Sequence, residues 1–504
     1  MMHRENIVRS SFALTTARIV SSICGAAGTI ILARWLGPDE YGLLALCITI
    51  VTTITLFADF GLSGSVARFL TEQLGAPSAA RTILITGMTA RFMLLAASCV
   101  LLWSLAPLIC DFLKEPRLND FFLLVLLLTV GMGTSKTLYS LFQATNSLGR
   151  FAGSEALRSI ALLAVSLLLV ALGLGVTGAL IGHVTSVFLQ CFVALVLLIP
   201  ILRTLGLFSV TSHDSATQGD SWQTWSSRIL RYGVPLILTS AGFFVYRQSD
   251  ILMIQFFLGT DDVAFYHAQS RIVQMLHIPV IAVGASVAPY FSRGRIDLQS
   301  QRDIFQRCMH FILLLYVPAA VGMTLLAVPI IDLVYGVEFM PAASAFSVYT
   351  LLYTPSFAVA AVISLLLNYR GRAMHRAGII SVTALANIAL NILLIPKFGI
   401  VGAAASTQLT YTPAVACYIY LATGDLGVSR AQILLGLRKI LVATLVMAVA
   451  IFVLASAIPH PRVALTLIPI GAAVYFATAR IVGAVTAEDI SAFKGLFRKR
   501  RIEA

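Results

Sequence analysis

The chain has 504 residues, 59% of them hydrophobic and only 11% charged, with a mean hydropathy of +0.91 and a formal net charge of +13. So few polar side chains cannot cover the surface of water-soluble domains, so the composition points to a membrane protein. No polar stretch is long enough for a separate catalytic domain; the longest, near 208–228, reads as a linker.

Apolar windows of about 20 residues predict fourteen spans. The first seven lie near 11–33, 41–66, 83–108, 119–142, 156–173, 177–202 and 230–257. The other seven lie near 264–291, 308–335, 343–367, 377–395, 400–422, 438–457 and 463–483. The runs are continuous rather than alternating, which favours helices over a barrel. The first span lacks a small-residue cleavage site and is expected to stay as the insertion signal.

The chain repeats itself. Leu36-Gly37-Pro38-Asp39-Glu40 returns 222 residues later as Leu258-Gly259-Thr260-Asp261-Asp262, Gly149-Arg150 returns as Gly371-Arg372, and Gly175 and Gly178 return as Gly399 and Gly402 after a slip of two. A repeat of six spans, an even number, inserts both copies the same way up, giving parallel lobes around a shared cleft, as in transporters. The expected domains are an N-terminal lobe at 1–207 (spans one to six), a cytoplasmic linker at 208–228 and a C-terminal lobe at 229–423 (spans seven to twelve). Two further spans and a basic tail fill 424–504.

With the amino terminus inside, twenty-four Lys and Arg fall on the cytoplasmic side against five outside: Arg34, Lys114, Arg117, Lys397 and Arg462. This positive-inside bias puts both termini in the cytoplasm of a multi-pass cell-membrane protein. The net charge follows from that sidedness and from contact with anionic lipid, not from nucleic-acid binding. Seven cysteines, mostly inside spans, lack metal-ligand or disulfide spacing and read as small buried hydrophobes. No phosphate-binding loop or metal signature appears, so no cofactor is expected.

Six bases (Arg18, Arg91, Lys136, Arg247, Arg271, Arg480) and two acids (Asp59, Asp250) fall inside spans. Charge at bilayer depth is costly and usually faces a wet cavity or a partner. Asp250 and Arg271 lie eleven and ten residues from Asp261, about 15 Å below the outer turn, where they can meet. Arg18 and Asp59 are likewise equidistant from Asp39, about 30 Å below it. Arg247 and Asp250 share a helix face. Internal salt bridges, or snorkelling for Arg18, Asp59 and Arg480, explain the same residues structurally. Even after pairing, six bases against two acids leave a cationic excess that suits an anion, and the fork of Arg suits phosphate. Asp59 and Asp250 are also candidates to bind a coupling proton or cation.

The run Leu32-Ala33-Arg34-Trp35-Leu36-Gly37-Pro38-Asp39-Glu40-Tyr41-Gly42, followed by Ala58-Asp59-Phe60-Gly61-Leu62 and Ala67-Arg68-Phe69, resembles the opening of polysaccharide and O-antigen flippases. These belong to the multidrug/oligosaccharidyl-lipid/polysaccharide exporter superfamily, and the fourteen spans and duplicated lobes extend the resemblance over the whole chain. The second copy is looser, with Thr260, Val263 and Ala264 in place of Pro38, Tyr41 and Gly42. The resemblance implies an all-α, V-shaped pair of six-helix bundles plus two C-terminal helices. It also implies flipping of polyprenyl-diphosphate-linked oligosaccharide to the outer leaflet by alternating access, without enzymatic chemistry. Spans one, two, seven and eight would line the cleft, placing Arg18, Asp59, Arg247, Asp250 and Arg271 there, with Arg91 and Lys136 as further candidates. Glycosyltransferases or a polymerase of the same pathway are the implied protein partners. The competing readings are a multidrug exporter, a membrane glycosyltransferase or polymerase, and a scramblase or structural protein.

Overall fold

The computed structural model describes residues 2–206, 222–291, 297–458 and 462–486, with side chains from residue 21 onward apart from Ser22 and some positions within 235–289. In chain order the helices are α1 (Met2–Asp59), α2 (Leu62–Gln73), α3 (Pro77–Leu113), α4 (Leu118–Ala144), α5 (Leu148–Leu169), α6 (Gly175–Thr204) and α7 (Trp222–Phe257). They continue as α8 (Thr260–Val287), α9 (Leu298–Leu325), α10 (Ala327–Val334), α11 (Ala342–Tyr369), α12 (Ala373–Leu426), α13 (Arg430–Ser456) and α14 (Leu467–Ile481). No strand occurs among the described residues. The protein is an all-α, multi-pass membrane protein. Most of the expected linker lies outside the described residues, and α7 starts within it.

Three stretches are continuous in hydrogen bonding yet too long for one crossing. Leu148–Thr204, at 57 residues, would run about 85 Å if straight, against a hydrocarbon core of about 30 Å. Glycines turn it. Gly175 takes φ 48°, ψ −134° and Gly399, at the middle of α12, takes φ 59°, ψ −143°. Both values lie near a region where a side chain is strained, so each expected pair of spans closes on a glycine. In α1 the same job falls to Gly37 (φ 73°, ψ 176°) followed by Pro38.

The duplication is written in these left-handed positions. Gly37 pairs with Gly259 and Lys114 with Gly336, each 222 residues apart, Gly206 pairs with Gly427 at 221, and Gly175 with Gly399 at 224. The turn ending α4 differs from the sequence alignment. There Asn146 (φ 52°) is left-handed and Ser147 N–H bonds Phe142 O; after α11 it is Gly371 (φ 75°), with Arg372 N–H on Leu367 O. Asn146, not Gly149, is therefore the counterpart of Gly371, because the helix-closing bond and not residue identity sets the register.

The chain divides into two compact units, Met1–His267 and Ala268–Ala504, with the boundary inside α8. In the first unit α7 packs on α1, α2 and α3. A Cβ on Gly61 would sit 2.3 Å from Gly233 O, so two backbones touch where α7 crosses the α1–α2 junction. Such small-residue contacts hold helices together in lipid, where apolar burial supplies little drive. In the second unit α9 packs against α11 and α13, and a core of Leu314, Val317, Ile440, Met447 and Tyr475 fixes the two C-terminal helices to α9.

Candidate functional site

Asp59 ends α1, and its carboxylate meets two cations from different helices. Lys136 Nζ of α4 lies 3.1 Å from Oδ2, and Arg91 Nε of α3 lies 3.5 Å from Oδ1. The Ser63 hydroxyl donates to Oδ1, and Ser63 N–H lies 3.4 Å from it, so the same carboxylate tethers the first turn of α2. Arg91 is 2% exposed and also donates to Ala58 O, to Thr137 Oγ1 at 3.2 Å and to Gly133 O at 3.4 Å. Lys136 differs: its side chain is 37% exposed. Two cations share one carboxylate, the buried one is committed to the protein, and the surplus charge is on the open one.

Distance from the Asp39 turn alone puts Asp59 beside Arg18. The structure brings Asp59 to Arg91 and Lys136, and the side chain of Arg18 lies outside the described residues. The depth rule held the answer when measured from the other turn: Asp59 and Arg91 are each sixteen residues from Gly75, between α2 and α3.

On α7, Asp250 is 3% exposed and accepts from Tyr266 Oη of α8 at 2.5 Å. Arg247, one turn earlier, is exposed. Gln248, next to it, donates to Thr52 Oγ1 at 3.0 Å, which ties α7 to α1. In the second unit Arg271 is half-buried, with Nη1 3.4 Å from Gln274 Oε1 of its own helix. Arg480 donates to Val485 O at 3.1 Å and closes the end of α14.

An ionic network outside the spans was not legible beforehand. Arg117 forms a fork on Asp39 (2.6 and 2.7 Å) and a second on Glu115 (2.7 and 3.0 Å), and Glu115 also accepts from Thr260 Oγ1 at 2.7 Å. Arg117 holds the Glu115 carboxyl below its ordinary value, and the two acids raise Arg117 above its own. Close by, a Cβ on Gly42 would fall 2.0 Å from Thr260 O, and buried Tyr41 Oη meets His267 Nδ1 at 2.8 Å. These contacts clamp the head of α8 onto the α1 turn. Sequence places the acids in short turns but gives no sign that one Arg gathers them.

The pattern of the family described as Polysaccharide biosynthesis protein matches residues 7–295, more than half of the chain. The chain belongs to the polysaccharide biosynthesis protein family. The pattern described as MatE matches residues 235–393. Two Haloferax volcanii proteins each align over 81% of this chain and 81% of their own length. One, named "Probable low-salt glycan biosynthesis flippase Agl15", is 22% identical, and the other, "Probable flippase AglR", is 25% identical. Among solved structures, the lipid II flippase MurJ in an inward closed conformation superposes with a TM-score of 0.74 at 17% identity, over 93% of this chain and 98% of that one. An inward-facing multidrug resistance MATE family transporter of the MOP superfamily gives 0.65 at 13% identity, over 81% and 94%. The fold is thus that of the exporter superfamily that the opening motif resembles.

Proposed function

We propose that this protein is a flippase that carries a polyprenyl-diphosphate-linked oligosaccharide, a polysaccharide or O-antigen repeat unit, from the cytoplasmic to the outer leaflet by alternating access. Flipping of a lipid-linked glycan is supported by the family and by the names of the Haloferax relatives. The observation that carries the finer reading is the surplus positive charge on the Asp59 cluster: Arg91 and Lys136 share one carboxylate, and the Lys136 side chain is 37% exposed.

In this reading Lys136, Arg247 and Arg271, and Arg18 from its place in the sequence, are each candidates to meet the diphosphate, and the sugars follow the polar path while the lipid tail stays in the bilayer. Arg91 and Asp59 set the position of Lys136 and do not touch cargo. Asp59, which already neutralises cations, and Asp250, which accepts from Tyr266, are the two carboxylates that could take a coupling proton or cation. The positive-inside bias puts both termini in the cytoplasm of the cell membrane. A diphosphate with two negative charges then gains about 4.6 kcal/mol per 100 mV on moving outward. Glycosyltransferases or a polymerase of the same pathway would supply and consume the cargo, and the chain itself performs no bond chemistry.

The MatE match favours a second reading, a multidrug exporter. A cation-rich interior suits anionic better than cationic cargo, and a competition assay separates the two. Purified protein should retain an undecaprenyl-diphosphate oligosaccharide in the presence of excess ethidium; displacement by ethidium, with no retention of the diphosphate alone, would favour the drug exporter.

A further inference from the structure

The helices α9 and α13 leave between them a cavity of about 300 Å³ that plays no part in the transport reading. Its rim is polar: Gln306 of α9 donates to Gln432 of α13 at 3.0 Å, and His310 lies one turn further along α9. Its deeper wall is apolar, formed by Met309, Leu313 and Ile440. The polarity therefore runs from headgroup-like to chain-like along both helices, starting from the ends at Leu298 and Arg430 that the proposed sidedness puts in the cytoplasm.

The charge at that end is cationic. Arg302, one turn before Gln306 on the same face, donates from Nε to Leu426 O at 2.6 Å, and its Nη2 lies beside Gly427. Arg430 opens α13 with its guanidinium 4.0 Å from the Tyr420 ring centre. Arg307 is exposed and has no partner among the described residues. Of the carboxylates nearby, Asp425 is paired with a cation, whereas Asp297 and Asp303 bond neutral donors and keep their charge, so Arg302, Arg307 and Arg430 outnumber them three to two. Asp297 caps α9 through Ser300 N–H at 2.9 Å, Asp425 is held by Arg372 at 2.9 Å, and Asp303 accepts from Gln299 at 3.1 Å. Two helix amino-terminal ends add their partial positive charge.

We infer that this cavity is a site for an anionic glycerophospholipid of the cytoplasmic leaflet, with its phosphate among Arg302, Arg307 and Arg430 and the upper part of an acyl chain against Met309 and Leu313. Basic pockets between membrane helices on that side recognise anionic headgroups, and the volume lies at the lower end of ligand-pocket sizes. The inference rests on the proposed sidedness but not on the cargo.

Gly436 supplies the test. It lines the cavity, and a Cβ there meets no atom within 4 Å, so a side chain can start from this position without a clash at Cβ. Native mass spectrometry of the full-length protein in detergent would compare dioleoyl phosphatidylglycerol with dioleoyl phosphatidylcholine. Phosphatidylglycerol should bind more tightly, and Gly436→Phe should weaken it about tenfold while Gly436→Ala keeps it. Arg307→Gln, a change on an exposed residue, should reduce the preference about fivefold, the worth of one basic residue near anionic lipid. Equal binding of both lipids, or wild-type phosphatidylglycerol binding by Gly436→Phe, would overturn the assignment, and so would an unchanged preference in Arg307→Gln. Cargo is absent from this measurement, so its failure leaves the flippase reading untouched.

Discussion

Arg91 and Lys136 touch the same carboxylate, yet they should fail in different ways when removed. Arg91 is 2% exposed and gives its guanidinium to Asp59, Thr137 and the carbonyls of Ala58 and Gly133. Truncating Arg91 leaves Asp59 its Lys136 partner at 3.1 Å but strips the donor from Ala58 O, Gly133 O and Thr137 Oγ1, and leaving buried acceptors unsatisfied costs about 1–3 kcal/mol. At roughly 2–4 °C per kcal/mol for a unit of this size, Arg91→Met should lower the melting temperature by at least about 2 °C. Lys136, with 37% of its side chain open, should cost about 1 kcal/mol or less as Lys136→Gln, but should lose most of the flipping rate. Tryptophan-fluorescence melting in detergent, paired with leaflet-resolved labelling of lipid-linked sugar in membranes, reads both quantities. The reasoning is refuted if Arg91→Met melts with the wild type, or if Lys136→Gln flips at the wild-type rate.

Three further outcomes follow from the geometry. Gly42→Ala places a methyl 2.0 Å from Thr260 O and should destabilise by about 1–3 kcal/mol; Gly25→Ala, where a Cβ meets nothing within 4 Å, should melt no lower than the wild type. Gly399→Ala and Gly175→Ala should each cost about 1–3 kcal/mol from backbone strain, and equal loss in the two would mark them as counterparts in the repeat. The Glu115 carboxyl is held below its ordinary value of 4.5 by Arg117, so its stabilisation is complete above that pH and is lost as pH falls through the lowered native value. Melting curves should therefore separate wild type from Glu115→Gln at pH 7 and converge in acid; a gap independent of pH would contradict the assignment.

Much of the fold was legible because hydropathy and glycine positions are local signals. The fourteen spans correspond to helices or halves of turned helices, and the 222-residue repeat reappears as paired left-handed residues. The α4–α5 turn was misaligned because Gly149 and Gly371 match in letter, whereas Asn146 serves as the left-handed residue in the first copy. Asp59, Arg91 and Lys136 were each named from the sequence, but not as partners. Depth measured from the outer turn joined Asp59 to Arg18, although Asp59 and Arg91 lie at equal distance from the inner one. The Arg117 network stayed hidden because Asp39, Glu115 and Thr260 are remote in sequence and each looks like an ordinary turn residue.

The most direct test of the account is the rate at which a fluorescent undecaprenyl-diphosphate oligosaccharide crosses vesicles containing the purified protein, wild type against Arg247→Ala and Arg271→Ala. Under an inside-negative potential the wild type should move the lipid outward, with both variants at least about tenfold slower, a loss of 1.4 kcal/mol in transition-state stabilisation. Transport at the wild-type rate by both variants, or no movement by the wild type, would contradict the claim that intramembrane cations carry a phosphorylated cargo.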